Sequence, residues 1–150
     1  MAGSVTRTFD TDFRVATESI NGANPISFQY DPNSLLIGAG ALTLTRNTQN
    51  GLLTGTTNGG VTDSDGYSTF GEVSTYQANY SGSPQVAIQY TRDSLGRITQ
   101  KTETIGGVAT TTVYGYDQAG RLTDVTVDGT LAAHYEYDVI RDVAILVSFC

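Results

Sequence analysis

The side chains best suited to acid–base chemistry lie in the last third of the sequence. His134 is the one histidine, and an unperturbed imidazole titrates near neutrality, as a general base requires. In Ala133-His134-Tyr135 it falls on the strand face opposite Leu131 and Tyr135, and no nucleophile is paired with it by spacing. A solvated or sheet-packed imidazole is the expectation. Paired carboxylates for glycoside or phosphoester hydrolysis are available from Asp117, Asp124, Asp128, Glu136 and Asp138, because strands distant in sequence converge in a sheet. Their spacing selects no pair.

Asp63-Ser64-Asp65-Gly66 resembles the opening of an oxygen-ligand calcium loop. Such a loop also needs a later bidentate acid, and Glu72 is offset from that place, so a plain turn is expected. Cys150 is the sole cysteine, which removes Cys/His zinc clusters and intramolecular disulfides. Gly38-Ala39-Gly40 is followed by neither a lysine nor a helix start, so it is no phosphate cradle. Exposed tyrosines can stack on sugars, but at strand spacing they are expected in a core. No catalytic, cofactor-binding or metal-ligating residue is assigned, and no cofactor is expected.

Eight Lys plus Arg against fifteen Asp plus Glu leave a net charge of −7, which repels phosphate backbones and argues against nucleic acid as a partner. No apolar run reaches about 18 residues, so membrane insertion is not expected. Only 15% of residues are charged, against roughly 25% in an average domain. The polar character comes from neutral residues, and Thr and Tyr favour strands while glycines supply turns. The 150 residues suit one domain, 1–150.

Turn signals divide the chain regularly. Asn21-Gly22, Asn50-Gly51, Gly82, Gly106-Gly107 and Asp128-Gly129 form one series, and Gly71, Gly96 and Gly120 a second, as if strands reverse alternately at two ends of a sheet. Tyr90-Thr-Arg-Asp93-Ser-Leu-Gly96-Arg97 and Tyr114-Gly-Tyr-Asp117-Gln-Ala-Gly120-Arg121 match at an offset of 24 residues, an internal repeat. A third copy opens at Tyr135-Glu136-Tyr137-Asp138, with weaker copies at Phe28-Gln29-Tyr30-Asp31 and Tyr67 to Val73. Within the block the Asp accepts turn N–H groups, the Gly takes positive φ, and the Arg leaves beside the Asp. Downstream, alternation puts Leu122, Asp124 and Thr126 on one face, and Leu131, Ala133, Tyr135 and Tyr137 on one face of the next strand. Tyr90 and Tyr114 are expected on equivalent rungs, as a tyrosine seam of the core.

The stretch Tyr114-Gly115-Tyr116-Asp117-Gln118-Ala119-Gly120-Arg121-Leu122 resembles the tyrosine-aspartate (YD) repeat of the rearrangement-hotspot (RHS) proteins, found also in teneurins and insecticidal toxin complexes. The likeness is clearest over residues 88–138, and Gly38–Arg46 with Asn50–Gly55 resembles looser repeats. It implies an all-β fold of stacked antiparallel hairpins, a curved sheet or small open barrel that is a piece of a YD-repeat shell. It further implies a structural, encapsulating scaffold, with a C-terminal toxin or a cell-surface partner in a secreted or cell-surface parent. The competing readings are a small metal-free hydrolase on the sheet surface and a carbohydrate-binding module. Asp31-Pro32-Asn33-Ser34 lacks the glycine pattern of the family's self-cleaving motif, so no proteolysis is assigned.

After Tyr137-Asp138 the repeat breaks off into Val139 to Cys150, which is expected to mark a fragment ended by truncation or a shifted frame. Val143–Phe149 is apolar and β-branched, so it should pair as a strand, either on the chain's own sheet or edge to edge with another copy. Self-association through exposed strand edges is the partner expectation.

Overall fold

The computed structural model describes residues 3–137 and 144–147. Asp138, Val139 to Val143 and Cys150 lie outside the described residues, so the third repeat copy is followed only as far as Tyr137. The chain is all-β, with 14 strands and no helix among the described residues. Its contacts group into two units, residues 1–65 with 79–82, and residues 66–78 with 83–150.

The first unit runs β1 (Val5–Phe9), β2 (Val15–Ile20), β3 (Ala23–Tyr30), β4 (Leu36–Ala39), β5 (Leu42–Arg46), β6 (Leu53–Asn58) and the start of β7 (Val61–Tyr67). Each pairs antiparallel with its chain neighbour. The second unit holds most of β8 (Val73–Tyr80), then β9 (Ser83–Arg92), β10 (Ile98–Ile105), β11 (Val108–Tyr116), β12 (Leu122–Val127), β13 (Thr130–Tyr137) and β14 (Ala144–Val147). From β9 to β14 the pairing again follows chain order. The tail therefore pairs with the chain's own β13, Val147 opposite His134 and Ala144 opposite Tyr137.

The two ends of the hairpins use different turns. Tight two-residue reversals occur at Asn21-Gly22, Gly40-Ala41, Gly59-Gly60, Ser81-Gly82, Gly106-Gly107 and Asp128-Gly129, where glycine, asparagine, serine or aspartate supplies the positive φ. At the other end a wider turn recurs. In 93–97, Asp93 N donates to Arg97 O at 3.0 Å and Gly96 N to Asp93 O at 3.0 Å, while Asp93 Oδ1 accepts from Leu95 N and Arg97 N. The backbone bonds repeat in 117–121, 31–35, 10–14 and 68–72, with Ser68 replacing the aspartate in the last. The fourth residue is always left-handed: Phe13 (φ 61), Ser34 (φ 64), Gly71 (φ 78), Gly96 (φ 80) and Gly120 (φ 83).

Two sequence expectations are corrected here. Asn50-Gly51 belongs to the wide series, because Asn47 Oδ1 takes the aspartate's part and Gly51 N donates to Asn47 O at 2.8 Å, with one residue inserted. Asp63-Ser64-Asp65-Gly66 is neither a calcium loop nor a turn. It lies inside β7, where the Asp63 carboxylate faces Thr56 and accepts from its N–H at 2.8 Å and from its hydroxyl.

Each wide turn with a described ladder is followed by a β-bulge. Register shifts separate Phe9–Val15 from Thr8–Thr17, Tyr30–Leu36 from Gln29–Gly38, Arg46–Leu53 from Thr45–Gly55, Ile98–Arg92 from Gln100–Thr91, and Tyr116–Leu122 from Gly115–Asp124. The extra residues are Ala16, Ile37, Thr54, Thr99 and Thr123. A bulge reverses the alternation beyond it, so Leu122 shares a face with Tyr116 and Val125 while Asp124 faces the other way. A further shift pairs Thr126 with Leu131 but Val125 with Ala133, which separates Leu131 from Ala133. Strict period-two counting fails at both places for this reason.

Tyr90 and Tyr114 share a face but not a rung. Tyr90 pairs with Lys101, which pairs with Thr112, two residues short of Tyr114. The same two-residue step separates Ala133, the partner of Tyr114's partner Val125, from Tyr135. In the first unit it separates Ser27 from Gln29, Leu42 from Leu44 and Asp63 from Asp65, although repeat lengths there differ. The stagger averages about one residue per strand, the same ratio as an eight-stranded barrel of shear 8. It is set where the invariant turn and bulge lie, and length changes are absorbed between them.

No hydrophobic side chain is fully buried among the described residues, and only Gly38 and Gly55 are buried at all. The expected tyrosine core is corrected to a half-covered face. Tyr90, Tyr114, Tyr116, Tyr135 and Tyr137 are all half-buried on one side of the second unit, because a single layer of strands has no opposing layer to close over them.

Candidate functional site

The stagger leaves a backbone problem at the start of every second strand. Val15 lies two residues before Thr17, where the β2–β3 ladder begins. Leu36, Ile98 and Leu122 stand equally far from Gly38, Gln100 and Asp124, the first ladder residues of β4, β10 and β12. Their carbonyls have no strand donor opposite, and an unpaired half-buried carbonyl is unfavourable.

The residue just before the turn aspartate of the next repeat supplies the donor. Tyr30 Oη donates to Val15 O at 3.0 Å, Tyr116 Oη to Ile98 O at 2.7 Å, and Tyr137 Oη to Leu122 O at 2.7 Å. Each ring also lies under the arginine of the preceding turn, with Arg14, Arg97 and Arg121 Cζ at 4.7, 4.6 and 4.4 Å from the Tyr30, Tyr116 and Tyr137 centroids. Those arginines are held from the other side by their own turns, since Nε of Arg14, Arg97 and Arg121 donates to Asp10, Asp93 and Asp117 Oδ2 at 2.8 Å. Each letter of the Tyr-Asp-x-x-Gly-Arg motif thus has a partner, and the tyrosine's partner is in the neighbouring repeat.

The turn bonds also tune the carboxylates. Backbone donation from Arg14 and from Arg121 holds Asp10 and Asp117 below the usual carboxylate range, helped by the guanidinium of the same residue. At Asp93 desolvation acts upward, but hydrogen bonds from Arg97 and Leu95 outweigh it and the net direction is down.

The remaining titratable candidates are placed as follows. His134 Nδ1 lies 2.7 Å from Asp124 Oδ1, its cross-strand partner, and Nε2 is 3.7 Å from Glu136. Bonding to Asp124 raises the imidazole pKa, and the same bond lowers that of Asp124. This is a sheet-packed histidine held between carboxylates on an open strand surface, with one third of its side chain exposed. Asp128 Oδ1 accepts from Thr111 N at 2.7 Å, and Asp117 is paired with Arg121. Asp138 lies outside the described residues. Of the hydrolytic candidates among the described residues the structure brings together only Asp124 and Glu136, on either side of His134. Asp65 is raised by partial burial and by the neighbouring Asp63. Among the described residues no cluster of three or more His, Cys, Asp or Glu is arranged to hold a metal ion.

Sequence reasoning missed Arg46 and Arg92, which occupy the tyrosine position. Arg46 Nε donates to Leu36 O at 2.9 Å and Nη1 to Gly51 O at 3.0 Å. Arg92 Nη2 donates to Val73 O at 3.3 Å and Nη1 to Gly96 O at 3.0 Å. The available signal was position, directly before Asn47 and Asp93, rather than residue type. It also missed the copy at Phe9-Asp10, where Phe13 stands in place of the glycine.

The teneurin YD-shell family model matches residues 1–143. The chain belongs to the YD-shell family. Solved structures agree on the fold. The crystal structure of TcdB2-TccC3-Cdc42 superposes with a TM-score of 0.61 at 13% identity, covering 95% of this chain and 10% of that one. For TcdB2-TccC3-TEV the TM-score is 0.59, again at 13% identity and with 95% and 10% covered. A Photorhabdus luminescens Tc holotoxin pore with a mutated TccC3 gives 0.58 at the same identity and coverages. This YD-shell segment therefore spans a tenth of the length of those chains. Among curated proteins none matches it. Its residues build a structural repeat scaffold, and the junction of turn, ring and carbonyl is the repeating element of that scaffold.

Proposed function

We propose that the chain is wall material of a YD shell, whose task is to enclose or display another polypeptide rather than to turn over a substrate. The observation that carries this reading is the junction itself. Aspartate, arginine and tyrosine, the residues with most chemical potential here, are bonded to their own turn or to the next repeat. The toxin-complex neighbours support a toxin-type polypeptide as the partner of a longer chain built on this wall.

The reading extends to self-association. All of β1 is exposed, and the outer row of N–H and C=O groups on such a strand accepts another strand. Light scattering on the full chain and on a version ending at Asp138 tests this. An oligomer in both supports pairing at the β1 end, loss in the shorter version moves the contact to the tail, and a monomer in both rejects self-association.

Turnover is the competing outcome. Assay of the purified chain and of His134→Ala against ester, phosphoester and glycoside substrates separates the two. Activity that co-purifies with the chain and vanishes with the imidazole overturns the scaffold reading.

A further inference from the structure

We propose that Ser68, Glu72 and Arg92 form a charge-inverted version of the junction whose three exchanged residues are coupled, each tolerated only with the others. The inference rests on the scaffold reading and concerns how its repeats are joined.

Within each unit, every described junction holds its cation at one of two positions. At Arg14–Tyr30, Arg97–Tyr116 and Arg121–Tyr137 the cation ends the leading turn and the ring comes from the trailing repeat. At Leu35–Arg46 and Glu72–Arg92 the order is reversed. The leading turn ends without a cation, and the trailing repeat supplies a guanidinium to the same carbonyl position, Leu36 O or Val73 O. The carbonyl is always capped, by a phenol in the first arrangement and by a guanidinium in the second.

The junction at Glu72 shows the exchange carried through three positions. Glu72 replaces the turn arginine, and Arg92 replaces the tyrosine with its Nε 3.8 Å from Glu72 Oε2. An aspartate at the head of this turn would stand against Glu72. Ser68 stands there instead, donating its hydroxyl to Glu72 Oε2 at 3.2 Å while still accepting from Phe70 N and Glu72 N. Sign and hydrogen-bond polarity are inverted together, while the backbone turn is retained.

The charged members do not exchange singly. A trailing Arg92 against a leading Arg97 would set one guanidinium against another where the first arrangement has a ring. A leading Glu72 against a trailing tyrosine would leave a half-buried carboxylate without its cation. The backbone turn is the same in the two arrangements, so side-chain charge is what penalises a wrong combination.

The test is a coupling cycle in the full chain, read by urea denaturation. The variants are Glu72→Arg, Arg92→Tyr, their double, and the triple with Ser68→Asp, which rewrites this junction in the form seen at Asp93, Arg97 and Tyr116. Each single substitution is expected to lower the folding equilibrium constant roughly tenfold, and the triple to return to within about threefold of the parent, since contacting residues couple. Losses that simply add across the cycle overturn the coupling. If a single variant does not fold, the reverse conversion of Asp93, Arg97 and Tyr116 to Ser, Glu and Arg is read by far-UV circular dichroism, and a triple as unfolded as Arg97→Glu alone also overturns it. Enzymatic turnover would defeat the scaffold reading without altering this coupling.

Discussion

Tyr116 reaches out of its own strand to donate a 2.7 Å hydrogen bond to the carbonyl of Ile98, 18 residues earlier and one repeat back. That carbonyl lies beyond the β10–β11 ladder, which starts at Gln100. The bond is the side-chain answer to a backbone stagger, and it explains why a phenol rather than a plain ring precedes the turn aspartate.

Tyr116→Phe keeps the ring under Arg97 and removes only the donor. A loss of about 1 kcal/mol is expected, the net value of one hydrogen bond. Urea midpoints measure it. A change indistinguishable from zero would mean that water replaces the phenol at no disadvantage.

The fourth turn position gives a prediction of opposite sign at two sites. Phe13 is 89% exposed and held at φ 61, so Phe13→Gly relieves left-handed strain while giving up little burial. A gain of about 1 kcal/mol is expected, strain relief of about 1–2 less the backbone entropy of glycine. Gly96→Ala should lose about as much, because φ is +80, which glycine alone takes without strain, while the Glu72 carboxylate near the added carbon can move aside. Thermal unfolding of both variants checks the pair of signs.

Acid should weaken the fold through the turns. Asp10 and Asp117 are lowered by donation from Arg14 and Arg121, so the unfolded chain binds these protons first. Their contribution is complete above the unfolded value near 3.9 and is lost as pH falls through the lower folded values. Asp117→Asn should flatten the fall of stability below about pH 4. An unchanged acid limb in denaturation curves would remove the turns as its cause.

His134 acts in the other direction. Asp124 raises its pKa in the folded chain, so its contribution is complete below the unfolded value near 6.5 and disappears as pH rises through the folded one. His134→Gln should abolish the decline above about pH 6.5 and also remove the share of the acid limb that Asp124 owes to this bond. A decline that persists in the variant would assign it to other groups.

Much of the fold was legible because its punctuation is local. Gly96, Gly120 and their aspartates announce a turn through properties contained within five residues, and the composition points to strands. The copy headed by Asp10 stayed hidden because Phe13 adopts the glycine's conformation without the glycine. Arg46 and Arg92 were obscured for a related reason, since a guanidinium and a phenol can donate to the same carbonyl although the two residue types look unrelated in a pattern.

By itself the sequence determined the hairpin repeat, the alternation of two turn classes and the family resemblance, since these depend on φ preferences and short-range hydrogen bonds. Tertiary structure decided which face each side chain takes, because single bulged residues such as Thr123 reverse a parity that counting assumes. It also decided what the tyrosines are for. Tyr90 and Tyr114 miss a common rung by two residues, and that offset, fixed by register between strands, places the carbonyls of Ile98 and Leu122 where only a side chain from the following repeat can reach them.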